Sequence, residues 1–164
     1  MGSEMIDSTN FRRALGRYAS GITVVSGMSG GEPVGFTCQS FHSVSLRPPL
    51  ILLSVMQGSS SWPKIRDSRT FCVNVLAQEQ RHISDGFARS GSDKWAGVEW
   101  SSTVAGNPVI DGVLAWFDCD LYAEHAAGDH IIVVGKVRDF VESEEKNSGQ
   151  PLLYFKGQYG KLAA

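Results

Sequence analysis

The sequence has no excess of positive charge, no long apolar segment and no glycine-rich dinucleotide motif of the GxGxxG type. Its 164 residues include 15 Lys or Arg and 17 Asp or Glu, which gives a net charge of −2. A nearly neutral chain is a poor candidate for binding nucleic acid through its phosphates. The longest apolar run, residues 49–56, is far shorter than the roughly 20 residues of a membrane helix. We therefore expect no nucleic acid and no membrane as partners. Because the N-terminus has neither a basic nor an apolar stretch, we expect a cytoplasmic protein without a signal peptide.

Cysteine and histidine are scarce and widely spaced. Cys38, Cys72 and Cys119 form no CxxC pair, which predicts small buried thiols in a reducing compartment. The four histidines share no metal-ligand spacing, so we expect no metal site. The chain is long enough to bury a core, and it shows neither a repeat nor a linker. We predict one domain over residues 1–164, with residues 1–6 disordered or vector-derived.

The hydrophobic pattern predicts a mainly β chain with a few helices. Phe11, Leu15 and Tyr18 recur at helical spacing, with a cap available among residues 8–10. Residues 50–56 are almost wholly apolar, which is typical of a strand buried on both faces. Strands are predicted at residues 22–26, 34–46, 50–56, 70–76, 113–122, 130–141 and 152–155, helices at residues 7–18 and 79–89 and after Ser61, and an exposed loop at residues 142–149. Since no regular helices separate the strands, antiparallel pairing is favoured, and closing the sheet into a barrel would remove its edges.

Residues 34–50 keep returning to small hydroxyl side chains, at Thr37, Ser40, Ser43 and Ser45. Small polar groups on a strand leave room for a flat ligand and offer donors and acceptors to its edge. The alternative is an edge strand with one solvated face.

A run of three serines, Ser59 to Ser61, precedes Trp62-Pro63. Hydroxyls and free N–H groups at a helix start, with Lys64 and Arg66 nearby, suit an anion such as phosphate. The alternative is ordinary capping of a short helix by Ser61.

Two further segments carry side chains suited to a ligand. His130 follows Gly128-Asp129 at the start of a strand, where its imidazole can donate one hydrogen bond to a ligand and Asp129 can fix its tautomer or cap the turn. The alternative is a surface histidine. Residues 154–161 combine aromatics, lysines and two glycines that could cover a stacked ring, or form a C-terminal strand that packs in the core.

Together these segments resemble one family, the short-chain flavin reductases, which are the small reductase components of two-component flavin-dependent monooxygenases. The resemblance runs from about Phe11 to Leu162. It is carried, in this order, by VGFT-x-x-SF-x-SVSL-x-PPL, SSSWP, FCVNVLA-x-x-Q, GDHIIVVGKV and PLLYF-x-G-x-Y.

The resemblance implies a fold and an activity. The expected fold is the FMN-binding split barrel, a closed antiparallel β-barrel with flanking helices, paired as a homodimer with flavin near the subunit interface. The expected reaction is hydride transfer from NADH or NADPH to FMN or FAD, and the reduced flavin would pass to a partner monooxygenase. NADH is favoured because no arginine cluster for a 2′-phosphate is visible. The missing GxGxxG does not exclude nicotinamide in this fold, since the dinucleotide would lie over the flavin.

The resemblance also assigns site residues. The flavin ring and ribityl chain are expected against Gly35, Phe36, Thr37, Cys38, Gln39 and Ser40, with Ser54, Val55 and Gln57 continuing that wall. The phosphate is expected at Ser59, Ser60 and Ser61, with Lys64 as a weaker candidate. Phe87 and Lys94 are expected near the outer part of the flavin, and His130, Phe155 and Tyr159 on the nicotinamide side, with His130 as the catalytic candidate. The family usually has Ala, Val or Ser at the position of Cys38, Asn or Ser at that of Gln39, and often Phe at that of Trp95.

Two other functions fit the same barrel. One is an oxidoreductase of the pyridoxamine-phosphate-oxidase-like type, which holds its flavin tightly. The other is a flavin-binding module without turnover. His130 and Tyr159 favour the reductase, because a storage protein needs no nicotinamide side.

Overall fold

The computed structural model describes residues 6–143 and 149–163. In these ranges it has three α-helices, a 3-10 helix and twelve strands. The helices are α1 (Ser8–Leu15), α2 (Trp62–Asp67), the 3-10 helix (Gln78–Gln80) and α3 (Arg81–Ala88). The strands are β1 (Ser20–Gly21), β2 (Thr23–Ser29), β3 (Glu32–Cys38), β4 (His42–Leu46), β5 (Pro49–Met56), β6 (Thr70–Val75), β7 (Trp100–Ser102), β8 (Pro108–Ile110), β9 (Ala115–Ala127), β10 (His130–Glu142), β11 (Leu153–Phe155) and β12 (Gln158–Gly160). None of the described helices is both long and apolar enough to cross a bilayer. Most of the predicted loop at residues 142–149, and residues 1–5, lie outside the described ranges.

Seven strands form one antiparallel sheet in the order β3-β2-β6-β9-β10-β5-β4. The mainly β, antiparallel prediction is confirmed. Among the described residues β3 and β4 are the two ends of this sheet, with no ladder joining them. Closure into a barrel therefore stays a prediction.

Each face of the sheet has its own hydrophobic core, because side chains alternate along the strands. On β2, Val25 belongs to the core that contains Trp62 and Ile65 of α2. The preceding residue, Val24, belongs to the core that contains Phe87 of α3. The two helices thus cover opposite faces, and the sheet holds them in a fixed relation to each other.

The structure corrects several local predictions. The single strand at residues 34–46 is two strands, since the chain leaves the sheet between Cys38 and His42. The predicted burial of β5 on both faces is wrong, because Ile51, Leu53 and Val55 are buried but the residues between them are only half-buried. Such a one-sided pattern suits an antiparallel strand whose second face is partly open.

The first helix is shorter than predicted and is capped one residue earlier. The carboxylate of Asp7 accepts the N–H of Thr9 at 2.9 Å, so Asp7 is the N-cap rather than one of residues 8–10. The apolar side chains of Phe11 and Leu15 stay more than half exposed, because α1 lies at the edge of the domain with none of its residues buried.

We expect Gly135→Ala to destabilise the fold. A Cβ at this β10 position would lie 2.6 Å from Cζ of Phe71 and 3.1 Å from Cδ1 of Ile51. Overpacking of this kind costs about 1–3 kcal/mol in the free energy of unfolding, which urea denaturation measures. Gly86→Ala in α3 is the control, because its Cβ meets open space and alanine is the better helix former by about 1 kcal/mol. Equal stabilities for the two variants would contradict the packing described for β10.

Candidate functional site

A cavity of about 670 Å³ opens where β3, the end of β5, the turn before α2, α3 and the C-terminal hairpin meet. This volume is in the usual range of roughly 300–1,000 Å³ for small-molecule sites. Fourteen of the predicted site residues line it: Phe36, Thr37, Cys38, Gln39, Ser40, Ser54, Val55, Ser59, Ser60, Ser61, Phe87, Lys94, His130 and Tyr159. Segments far apart in the sequence are therefore brought to one concave surface.

Four predicted residues lie outside the lining. One is Lys64, the weaker phosphate candidate, which is exposed on α2. Gly35 is buried under Phe87, and a Cβ there would come within 2.8 Å of that ring, so glycine allows the ring to pack on β3. Gln57 donates its side-chain amide to the carbonyl of Gly128 at 2.9 Å, which ties the end of β5 to the β9–β10 turn. Phe155 is 41% exposed, with Nζ of Lys156 at 5.0 Å from its ring centroid.

The hydroxyl protons of Thr37 and Ser40 are used within the protein. Thr37 Oγ1 donates to the carbonyl of Ser84 at 2.6 Å. Ser40 Oγ donates to the carbonyl of Ser54 at 2.9 Å and accepts its N–H at 2.8 Å. A hydroxyl has one proton, so neither side chain can donate to a ligand while these bonds last. They shape the cavity wall instead of supplying donors to it.

The Ser40–Ser54 pair continues the β4–β5 register beyond the last paired residues. His42 is opposite Leu52, so the next pair along the same face would be Ser40 and Ser54. The backbone at residue 40 has left the sheet, and the side chain of Ser40 satisfies the N–H and C=O of Ser54 in its place. One hydroxyl therefore holds the β3–β4 connection against β5 at the cavity rim.

Cys38 lies next to this hydroxyl, with its Sγ 3.2 Å from Ser40 Oγ. Burial raises the pKa of the Cys38 thiol, and burial likewise raises the pKa of Cys72 and Cys119. All three cysteines are free and buried, as the sequence predicts.

The three serines before α2 do not have the roles that the sequence predicts for them. Ser59, not Ser61, supplies the cap, since its Oγ accepts the N–H of Trp62 at 3.1 Å. The Ser61 side chain makes no capping bond. Ser60 is exposed, and the Ser61 side chain is nearly buried in the cavity wall. The two hydroxyls that face the cavity without capping the helix are thus those of Ser60 and Ser61.

Lys94 brings a positive charge to the cavity. Its Nζ donates to the carbonyls of Phe87 at 3.0 Å and Gly35 at 3.3 Å. Burial lowers the pKa of the Lys94 ammonium group. An ammonium group has three N–H bonds, so one remains after these two contacts. The two carbonyls fix the position of the charge beside the cavity.

His130 is the first residue of β10 and lies opposite Met56 of β5. Its Nδ1 is 2.6 Å from Oδ1 of Asp129, and this bond holds the pKa of the Asp129 carboxyl below its usual range. A carboxylate can only accept, so Nδ1 carries the proton and Nε2 of the neutral ring is an acceptor. This differs from the donor role expected from the sequence.

Known proteins give this arrangement a context. Residues 15–163 match the family described as flavin reductase like domain. The chain belongs to that family. It is 42% identical over 159 residues to the reductase subunit HsaB of a flavin-dependent monooxygenase from Rhodococcus jostii. The aligned region covers 97% of this chain and 80% of that protein. The family resemblance seen in the motifs is confirmed.

Two solved structures are similar over nearly the whole chain. Nitrilotriacetate monooxygenase component B from Mycobacterium thermoresistibile has a TM-score of 0.93 at 42% identity, over 98% of this chain and 89% of that one. The NADH:FAD oxidoreductase SgcE6 from Streptomyces globisporus, in complex with NAD and FAD fragments, has a TM-score of 0.88 at 31% identity, over 98% of each chain.

Seven lining residues of this flavin reductase domain are not among the assigned site residues, although Tyr154 lies in the segment 154–161 that the sequence singled out: Ile22, Met56, Gly58, Ser84, Ala88, Ser90 and Tyr154. Helical spacing could have found two of them, because Ser84 and Ala88 lie on the face of α3 that carries Phe87. Strand register could have found Tyr154, which pairs with Tyr159. Ile22 has no signal in the motifs, since only the folded sheet brings it to the cavity.

We expect Ser40→Ala to lower the free energy of unfolding by about 1–3 kcal/mol, because it leaves the half-buried N–H and C=O of Ser54 without their partner. Chemical denaturation measures the change. Ser43→Ala on the neighbouring strand is the control, as that residue is exposed and its loss costs within about 0.5 kcal/mol. A Ser40 variant as stable as the Ser43 variant would refute the role given to this hydroxyl.

Proposed function

We propose that this chain is an NAD(P)H:flavin oxidoreductase that reduces FMN or FAD and supplies the reduced flavin to a partner monooxygenase. The observation that carries the proposal is the cavity, to which four of the five family motifs contribute lining residues. The named functions of the similar proteins from Rhodococcus and Streptomyces support it. A cytoplasmic location and a single domain over the matched residues belong to the same proposal.

The lining residues fit a flavin. The cavity volume suits a ligand of that size, and Phe36 and Phe87 offer apolar surface for a flat ring. We assign the hydroxyls of Ser60 and Ser61 and the remaining N–H of Lys94 to the anionic part of the flavin, because charge-assisted hydrogen bonds favour an anion. Thr37 and Ser40 hold the wall behind it.

Nicotinamide supplies the hydride and flavin accepts it, so the protein has to bind and orient the two rings. The polypeptide need not supply a general acid for this step. The cavity agrees with that requirement, since its lining consists mainly of hydroxyl, aromatic and apolar side chains, together with Cys38, Gln39, Lys94 and His130.

We assign His130 to the nicotinamide side. With Nδ1 bonded to Asp129, the neutral ring offers the lone pair of Nε2, which suits the N–H₂ group of a carboxamide. Asp129 fixes this tautomer and the orientation of the ring. His130 is therefore a binding and orienting group in this reaction.

NADH is the proposed hydride donor. Among the lining residues in the described ranges no arginine is present, and a 2′-phosphate is usually recognised by arginine. The similar Streptomyces protein is named an NADH:FAD oxidoreductase, which supports the same choice.

The function is tested by following NADH oxidation by the purified chain with and without added FMN and FAD. A reductase that releases its product consumes NADH in proportion to added flavin. Flavin that stays bound through dilution, with activity independent of added flavin, would indicate the pyridoxamine-phosphate-oxidase-like alternative. Flavin binding without NADH oxidation would indicate a binding module.

We expect His130→Ala to lower kcat/KM for NADH about five- to thirtyfold, because a hydrogen bond of about 1–2 kcal/mol is lost. The flavin Kd and the Tm should change little, since the His130 side chain is 38% exposed at the cavity mouth. Steady-state kinetics and thermal denaturation are measured together. A large fall in Tm with unchanged NADH kinetics would assign His130 a purely structural role.

We also propose a homodimer. Several large apolar side chains lie more than half exposed on this chain, among them Phe11, Leu15, Tyr18, Leu46 and Phe140. Monomers rarely leave so much apolar surface in water, and a second copy would cover part of it. Light scattering at micromolar concentration should give twice the mass of 17.8 kDa. Full activity at the monomer mass would contradict the dimer.

A further inference from the structure

The hydroxyl of Tyr159 is fully engaged by α3. Tyr159 Oη donates to Oδ1 of Asp85 at 2.7 Å, and Ser84 Oγ lies 2.9 Å from Tyr159 Oη. The single phenolic proton is given to the carboxylate, so Ser84 is the donor in the second bond. Both bonds come from consecutive residues of one helix, which fixes the phenol ring from its outer end.

A cation holds the same ring from one face. The guanidinium carbon of Arg81 lies 4.7 Å from the ring centroid of Tyr159, and Arg81 Nε is 3.7 Å from Oδ2 of Asp85. Arg81 and Asp85 are one helical turn apart, so both reach Tyr159 from the same side of α3. The ring is thus held by a cation–π contact as well as by its hydroxyl.

Asp85 itself does not belong to the lining of the cavity, whereas Tyr159 and Ser84 do. Its side chain is 42% exposed on the outer surface of α3. Ser84 is fully buried and its carbonyl accepts from Thr37, so the helix is also tied to β3 at this level. Asp85 can therefore influence the cavity only through the ring that it holds.

We propose that Asp85 is a positioning residue, which holds Tyr159 as a preformed wall for the dinucleotide and so sets the affinity for NADH but not for flavin. This inference rests on the proposed function, in which Tyr159 lies on the nicotinamide side. A ring that is already fixed loses no further freedom when the dinucleotide binds. Without Asp85, the ring of Tyr159 on the C-terminal hairpin has to be ordered each time the dinucleotide binds.

Three variants test the proposal. Asp85→Ala and Tyr159→Phe should each raise the Kd for NAD⁺, measured by calorimetry on the flavin-loaded protein, and the KM for NADH by about five- to tenfold. The kcat and the flavin Kd should stay within about twofold of the wild type. Asp85→Asn keeps an acceptor oxygen and should restore most of the affinity. Because the two residues act as one unit, the Asp85→Ala/Tyr159→Phe double variant should bind NAD⁺ no more weakly than either single variant.

A spectroscopic measurement checks the contact without using activity. Burial and then the hydrogen bond and charge of Asp85 raise the pKa of Tyr159, with the bond from Ser84 acting in the opposite direction. Removing the charge, in Asp85→Ala or Asp85→Asn, should therefore lower the phenol pKa. Alkaline titration of phenolate absorbance measures it, with Tyr159→Phe identifying the signal.

Asp67→Ala is the matched control, since Asp67 is an exposed carboxylate at the far end of α2. It should leave the NAD⁺ and flavin affinities and the phenol titration unchanged. The proposal is overturned if the Asp85→Ala flavin Kd rises in step with the NAD⁺ Kd, or if NAD⁺ affinity does not respond. Absence of NADH turnover in the wild type would instead defeat the proposed function, while the NAD⁺ and flavin Kd values would still report on Asp85.

Discussion

The shape of the cavity depends on the hydrogen bonds that the hydroxyl of Ser40 makes with Ser54. The chain leaves the sheet between β3 and β4, and this side chain takes over the hydrogen bonds of Ser54 that a paired backbone would have made. The same hydroxyl contacts the thiol of Cys38. The connection between the strands can bend away to form a concave wall only because Ser54 is satisfied in another way.

The other walls of the cavity are also held by hydrogen bonds whose donors and acceptors belong to the protein itself. Thr37 donates its hydroxyl proton to the carbonyl of Ser84, and Lys94 donates two N–H bonds to the carbonyls of Gly35 and Phe87. These bonds join β3, α3 and the loop after α3 into one frame. The donors that remain for a ligand lie at defined positions. Fixed positions of this kind make a site selective for its ligand even when its residue types are common.

Most residues that the motifs assign to the site lie in the cavity lining, because they come from contiguous segments such as residues 36–40 and 59–61. Their contact with flavin stays a prediction. The sequence could not predict how each hydroxyl is used. The sequence predicts Ser61 as the cap of α2, but in the fold it is Ser59 Oγ that accepts the N–H of Trp62. The donor expected at His130 became an acceptor because the partner on Nδ1 is a carboxylate. The break at residues 39–41 was missed since β-propensity continues through it while the register does not.

The burial of the three thiols makes them resistant to oxidation. Burial raises the pKa of Cys38, Cys72 and Cys119, which favours the neutral thiol, whereas the thiolate is the nucleophile that attacks peroxide. Reduced flavin that meets dioxygen before it reaches an acceptor yields hydrogen peroxide. Under the proposed function, desolvation therefore protects Cys38, which lines the cavity, from an oxidant formed beside it.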